Sequence, residues 1–312
     1  MSIGERISDP FYYVWEGIVK KPIIWVILTV FCFGGSLWGF TSNIVILKYI
    51  SNTKPVLTYY PDFFTQYPLE TSVACFIAGT ILLLFLAGYT YQVFHGITPA
   101  PEMKNWGFML INGLKVTVIS FVYFIIPILV ACFLVVLPLC GQISSMHQLS
   151  GETTNPATTP EIFKFFGIIL GGSLISFLVF IVFWIFSIIG IIRFCRTGSM
   201  SSAFELSEVL EKIRNIGWTR YLGSLMVFVI IMVFFGIIKG IISLILLAIG
   251  FVFGLIFKGT MPVFIGISMI IALFIQSLIA VYSARYFSVL YDADDNSENL
   301  VDTNSPGYTT PL

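Results

Sequence analysis

The residues that could do chemistry in this chain of 312 amino acids are few and scattered. Two histidines, His95 and His147, are too few for a histidine metal centre. The five cysteines include no C-x-x-C pair and no spacing typical of a zinc site. The signatures of metalloproteases, serine hydrolases and phosphate-binding loops are also absent from the sequence. The sequence therefore predicts no catalytic residue, no metal ligand and no cofactor site, and we expect a protein without enzyme activity.

One polar residue, Gln276, lies within an otherwise apolar segment near the C-terminus. Small residues recur every fourth position around it, at Ser268, Ala272, Ala280 and Ala284. In apolar surroundings small residues let helices approach closely, and an amide hydrogen-bonds to a neighbouring helix. We therefore expect Gln276 to join two helices. A polar site for a solute is the alternative function for this residue.

The composition is typical of a membrane protein. Hydrophobic residues make up 57% of the chain, charged residues 10%, and the mean hydropathy is +0.96. A soluble domain carries about 25% charged residues, so the bilayer must solvate much of this chain. The formal net charge is zero, which argues against a nucleic-acid partner. Carboxylates are missing from the middle of every apolar segment, which argues against a proton or cation relay.

The apolar segments predict an all-α, polytopic transmembrane helical bundle of about six spans, covering residues 23–290. Residues 1–22 precede the bundle as a cytoplasmic segment. Residues 291–312 follow it as an acidic tail, for which we expect disorder. The predicted spans are residues 23–45, 72–92, 110–140, 162–192, 220–249 and 262–290.

The number of spans depends on residues 219–257. As one helix this region would be about 58 Å long, against a hydrocarbon core of about 30 Å. We favour one span at 220–249, followed by an interfacial piece from Gly250 to Lys258. Two short spans that turn between Gly236 and Gly240 are the alternative, which would give seven spans.

The distribution of positive charge predicts the orientation. With six spans, most of the sixteen Lys and Arg residues face the cytoplasm, and residues 141–160 contain none. We therefore expect a protein of the cell membrane with both termini in the cytoplasm, whereas a seventh span would move the C-terminus outside. The basic residues that face outward in this topology are Lys48, Lys54, Lys164, Lys239 and Lys258.

In the same topology Cys75 and Cys140 both lie near the outer surface. A disulfide between them is therefore one alternative. The other is that each is a small buried apolar residue, which is the common role of cysteine.

An amphipathic segment joins the fourth and fifth spans. Residues 201–216 are predicted as a helix that lies on the cytoplasmic membrane surface and begins with a capping box, Ser202 to Glu205. We expect Glu208 and Lys212 to pair across one turn, and Trp218 to anchor the next span at the interface. The alternative is a helix that packs on its own protein.

Four G-x-x-x-G pairs give weak evidence for close helix packing. They involve glycines 35 and 39, 167 and 171, 236 and 240, and 250 and 254.

Two polar segments carry a family resemblance. The first contains Gly88, Tyr89, Gly96, Pro99, Pro101, Glu102, Trp106, Gly107, Gly113 and Lys115, and the second Arg196, Gly198, Ala203, Phe204, Glu208 and Ile213. Together they resemble the family known as domain of unknown function 4013, multi-spanning membrane proteins found mainly in archaea. The resemblance covers about residues 75–290 and implies a six-helix membrane bundle with no established activity. This chain departs from the family pattern at Met103, Lys104 and Asn105.

These observations support two hypotheses about function. The first is a non-enzymatic membrane bundle whose cytoplasmic amphipathic segments contact lipid or a partner protein. The alternative is a permease or channel for a small neutral or lipid-like solute, because polar residues such as Gln276 and Ser268 lie within the predicted spans.

Overall fold

The computed structural model describes residues 3–50, 68–141, 166–257 and 261–293, and the regular elements in these ranges are all helical. The prediction of an all-α protein is therefore confirmed. The α-helices are α1 (Ile3–Val14), α2 (Pro22–Ile50), α3 (Pro68–Phe94), α4 (Trp106–Ala131), α5 (Ser173–Thr197), α6 (Leu206–Ile216), α7 (Trp218–Ile256) and α8 (Met261–Tyr291). Short π-helical turns occupy Trp15–Val19, Cys132–Val136 and Ile168–Gly172, and Ser201–Phe204 is a 3₁₀ turn.

Within the described residues, six helical segments are long and apolar enough to cross a membrane. Their number agrees with the sequence prediction, and they identify a multi-pass membrane protein. The segments are Pro22–Gly39, Leu69–Phe94, Trp106–Gly141, Ile168–Thr197, Trp218–Gly254 and Val263–Tyr291.

Helix α7 is a single helix of 39 residues. It continues through Gly236 and Gly240, where the seven-span alternative required a turn. It also continues beyond residue 249, so the piece expected to begin at Gly250 belongs to α7 as far as Ile256. No proline interrupts this apolar run, and backbone groups in apolar surroundings must find partners within the helix.

Several predicted segments differ from the structure or lie beyond it. Residues 3–14 form helix α1, for which the sequence analysis predicted no element. Helix α2 continues to Ile50, past the predicted end of the first span at residue 45. Most of the predicted loops at 46–70 and 141–160, and of the tail at 291–312, lies outside the described residues. Cys75 and Cys140 both carry thiols, so the disulfide alternative is not realised.

The chain divides into two compact units. The first comprises Met1–Val116 and Leu210–Leu312, and the second Thr117–Val209. In the first unit α2 packs on α3 and α7 on α8, while α8 also contacts α1, α2 and α3. In the second unit α5 packs against the 3₁₀ turn and the two π-helical turns that precede it.

The glycines that allow close packing are mostly outside the G-x-x-x-G pairs. A Cβ atom added at Gly35, Gly39, Gly167, Gly171, Gly236 or Gly240 would meet nothing within 4 Å, so close packing at these glycines is a wrong prediction. Of the remaining pair, Gly250 lies against the side chain of Phe264. Close backbone contacts occur instead between Gly34 and Gly79, and between α3 and α4 at Gly88 and Gly113. Spacing alone does not tell which face of a helix meets its neighbour.

Candidate functional site

The segment between α3 and α4 contains the first group of predicted site residues. Pro101 is buried and Pro99 is exposed. Glu102 forms an exposed ion pair with Lys104, and the hydrogen bond from Lys104 lowers the pKa of Glu102. The ring of Trp106 meets the rings of Phe31 and Phe85 edge-on, with centroids 6.0 and 5.6 Å away. These contacts attach the start of α4 to α2 and α3.

Gly113 brings α4 into direct contact with the backbone of α3. A Cβ atom at Gly113 would overlap the backbone oxygen of Leu84, and one at Gly88 would overlap that of Met109. Helix α1 holds the same segment from another side, because the Tyr13 hydroxyl donates a hydrogen bond to the carbonyl oxygen of Ile97, 3.0 Å away. Gly113 is therefore a packing residue.

The second group of predicted site residues surrounds the end of α5. Gly198 ends this helix with φ 74°, and its N–H donates to the carbonyl oxygen of Phe194 at 2.8 Å. Arg196 lies in the last turn of the same helix. Ala203 is fully buried, and its carbonyl oxygen accepts a hydrogen bond from the hydroxyl of Tyr123. The ring of Phe204 stacks on Tyr123, with centroids 5.7 Å apart. These residues hold the turn against its own unit.

The predicted capping box is wrong. Ser202 lies in the 3₁₀ turn, and its hydroxyl donates to the carbonyl oxygen of Ser199. Glu205 pairs with Arg193 at 2.7 Å, and helix α6 begins only at Leu206. Glu208 also lies 3.3 Å from the guanidinium of Arg193. Arg193 therefore pairs with both carboxylates.

Side chains from two faces of α6 contact the protein. Lys212 lies over the ring of Tyr291, with its nitrogen 4.7 Å from the ring centroid, and Glu208 lies 3.3 Å from Arg193. On the apolar face of α6, Val209, Ile213 and Ile216 are buried within the protein. This agrees with the alternative of a helix that packs on its own protein. Leu206 and Leu210 remain exposed, as does Trp218 at the start of α7.

Helix α1 brings charged residues to α8 within the first unit. Asp9 accepts two hydrogen bonds from the guanidinium of Arg285, at 2.7 and 3.1 Å. The same guanidinium lies 5.0 Å from the centroid of the Tyr13 ring. Burial raises the pKa of the Tyr13 hydroxyl. Arg285 is thus held by a carboxylate and an aromatic ring.

Helix α1 is also joined to α7. Arg6 donates a hydrogen bond to the hydroxyl of Ser224 at 2.9 Å. Burial, and then the charge of Arg220, lower the pKa of Arg6. The hydroxyl of Tyr286 donates to the carbonyl oxygen of Ser224 at 2.7 Å. Arg6, Asp9 and Tyr13 recur at helical spacing in the sequence, a signal from which this docked helix could have been predicted.

A cavity of about 350 Å³ lies within the first unit, between α2, α3, α7 and α8. Its polar lining comes from Ser36, Lys239 and Gln276, with the thiol of Cys32. Apolar side chains, among them those of Leu83, Leu86 and Met269, make up much of the remaining wall. Gln276 is exposed, so a ligand can reach the cavity from outside the unit.

Lys239 and Gln276 meet across this cavity. The Lys239 ammonium donates a hydrogen bond to Oε1 of Gln276 at 3.4 Å, which joins α7 to α8. Gln276 has about 22 Å of helix on either side, and Lys239 more than this, at 1.5 Å per residue. Both residues therefore lie far from the ends of apolar helices. The sequence analysis assigned Lys239 to the outer side, although it lies within the favoured span 220–249; in the structure it lies well inside α7.

The chemistry available in the cavity is that of binding. Lys239 offers three N–H donors, Gln276 both a donor and an acceptor, and Ser36 a hydroxyl. In the described residues, no group of three histidine, cysteine or carboxylate side chains is placed to hold a metal ion. The arrangement can receive the polar end of a small molecule whose remainder contacts the apolar wall.

Comparison with known families gives a match over residues 72–244 to a family described as Protein of unknown function (DUF4013). The match covers more than half of the chain and confirms the resemblance identified from the two polar segments. No curated protein and no solved structure gives a match.

Proposed function

We propose that this chain, which belongs to the family described as Protein of unknown function (DUF4013), is a non-enzymatic binding protein for a small solute. It would hold that solute inside its helical unit in the manner of a permease or carrier. The observation that carries this proposal is the cavity in which Lys239 and Gln276 meet. Ionisable residues within membrane-spanning helices are rare, and they typically mark a substrate or ion pathway.

The residues of the two family segments support this proposal indirectly. Trp106, Gly113, Ala203 and Phe204 all contact their own unit, so they hold the helices in place. On α6, Val209, Ile213 and Ile216 are also buried within the protein. These contacts favour a solute in the cavity over a partner on the connecting segments.

The proposed transport can be tested in reconstituted vesicles. We expect at least one class from a panel of labelled sugars, amides and carboxylates to leave preloaded vesicles faster than it leaves protein-free vesicles. Ala272→Trp should abolish this release, because Ala272 lines the cavity and an indole would fill it. Ile270→Trp is the matched control, since Ile270 is exposed on the same helix. Equal release with and without protein, or from the Ala272→Trp variant, would refute the proposal.

We further propose that the protein resides in the cell membrane with both termini in the cytoplasm. The excess of positive charge on one side of the predicted spans supports this orientation. Cysteine labelling of intact cells tests it. Ser199→Cys is a better probe than the native Cys195, because residue 199 is exposed and Cys195 is buried. In a variant without other cysteines, an impermeant thiol reagent should label residue 199 only after the cells are opened, and labelling of intact cells would reverse the topology.

A second candidate function is contact between the α6 region and lipid or a partner protein. The exposed side chains of Leu206, Leu210 and Trp218 favour it. Deletion of α6 would destabilise the protein, because Val209 and Ile213 on this helix are buried. Leu206→Gln with Leu210→Gln is therefore the better variant, with Ser207→Gln as the control on the same helix. Loss of vesicle binding or of a co-purified protein in the leucine variant alone would support this function.

A further inference from the structure

We infer that the cavity between α2, α3, α7 and α8 binds the head group of a small, single-chain amphiphilic carboxylate. The Lys239 ammonium would bind the carboxylate, the Gln276 amide would donate a second hydrogen bond, and the chain would contact Leu83, Leu86 and Met269. This inference rests on the proposed function and names the substrate class of the same site.

The surroundings of Lys239 favour a ligand with a negative charge. Among the residues that the structure describes, no carboxylate lies within ion-pair distance of its nitrogen, and its hydrogen-bond partner is the neutral Gln276. Arg285 and Arg193, by contrast, each contact carboxylates. A lysine has three N–H donors, so the bond to Gln276 leaves donors for a ligand.

The charge of Lys239 also carries a cost in hydration free energy. An ammonium group taken out of water loses several kcal/mol of hydration, and attraction to a well-placed anion recovers much of it. One negative charge neutralises Lys239, whereas a second would lie unpaired in the same apolar surroundings. The ligand should therefore be a monoanion.

The size and lining of the cavity favour the same ligand. Its volume of about 350 Å³ is close to the lower end of the range for small-molecule sites. Polar groups are confined to Ser36, Lys239, Gln276 and the thiol of Cys32, and the remaining wall is apolar. Such a site suits one short hydrocarbon chain with one polar end, and it is too small for a two-chain phospholipid.

The experiment measures saturable binding of radiolabelled octanoate to the full chain in lipid nanodiscs, with empty nanodiscs as background. Octanamide, which has the same chain and a neutral head, serves as the competing ligand. Lys239→Gln should weaken octanoate binding about tenfold or more, because it removes one partner of a desolvated charge pair. Lys239→Arg should retain binding, and Lys21→Gln, a lysine outside the cavity, should behave as the unmodified protein.

The outcomes separate this inference from the proposed function. Competition by octanamide as strong as that by unlabelled octanoate, together with unchanged affinity in Lys239→Gln, would refute the carboxylate while leaving a neutral solute in the cavity. Octanoate binding that persists in Ala272→Trp would place the ligand elsewhere and refute the site. Absence of saturable octanoate binding would refute the inference, and the vesicle release assay would then decide the proposed function on its own.

Discussion

Arg285 and Lys239 are both cations on long apolar helices of the same unit, yet their surroundings differ. Arg285 donates two hydrogen bonds to Asp9, lies over the ring of Tyr13, and is only 14% exposed. Lys239 donates to the neutral Gln276 at 3.4 Å, beside a cavity of about 350 Å³. The first cation has a carboxylate partner, whereas the second has none among the residues that the structure describes and lines the cavity.

The difference between these two cations separates a structural role from a binding role. A cation that already has a carboxylate partner fixes one helix to another, and removing the partner leaves an unpaired charge. A cation without a carboxylate partner lowers stability until a ligand arrives. We therefore expect substitutions at the two places to change stability in opposite directions.

The largest effect should come from the close contact between α3 and α4 at Gly113. Gly113→Val should prevent accumulation of folded protein, because the new side chain would overlap the backbone of α3 at Leu84. Gly107→Val on the same helix is the control, since a Cβ atom there meets nothing within 4 Å. Size-exclusion chromatography in detergent measures the monodisperse fraction. Equal fractions for the two variants would show that α3 and α4 do not pack as described.

The next largest effect concerns Arg285, which pairs with Asp9. Asp9→Asn should lower the free energy of unfolding by about 2 kcal/mol, between the values for exposed and buried ion pairs. Titration with a denaturing detergent measures this change. Restoring the wild-type value with Arg285→Met in the same chain would indicate that the unpaired guanidinium is the cause, and an unchanged stability in Asp9→Asn would contradict the structural role of the pair.

Substitution of Lys239 should change the free energy of unfolding in the opposite direction. Without ligand, Lys239→Met should raise the free energy of unfolding by about 1 kcal/mol, because it removes a charge that has no carboxylate partner in the described part of the chain. The same detergent titration applies. A loss of stability similar to that in Asp9→Asn would mean that Lys239 is a structural residue and would remove the contrast between the two cations.

The smallest effect is expected in the second unit. Glu205→Gln should lower the free energy of unfolding by about 0.5 kcal/mol, because Glu205 is 46% exposed and exposed ion pairs contribute little. Arg193 also keeps Glu208 at 3.3 Å. Glu211→Gln, which changes an exposed carboxylate on α6, is the control. A loss as large as that in Asp9→Asn would show that the Arg193 pair is shielded from water.

The helices and the family could be predicted from local signals. Apolar runs long enough to span a bilayer determine where helices form, and the described residues contain six such segments. The residues of the two polar segments indicate the family, and the family match confirms it. Both predictions need only the order of residues along the chain.

The candidate site was only partly predictable. Gln276 was selected from the sequence as an intramembrane polar residue, but nothing near it in sequence indicates Lys239, because the two residues belong to different helices. The spacing of Arg6, Asp9 and Tyr13 indicates helix α1 but not where it packs, because its partners Ser224 and Arg285 lie far along the chain. The capping box failed for a related reason, because the carboxylate of Glu205 pairs with Arg193 on the preceding helix.

The sequence by itself determined that this protein is helical, multi-pass and a member of its family, because hydropathy and residue spacing are local properties of a chain in an apolar solvent. Only the tertiary structure decided which cations have partners and where a cavity remains. The physical reason is that the partner of a charge on one helix comes from distant positions in the chain. Asp9 reaches Arg285 in this way, and the amide of Gln276 reaches Lys239.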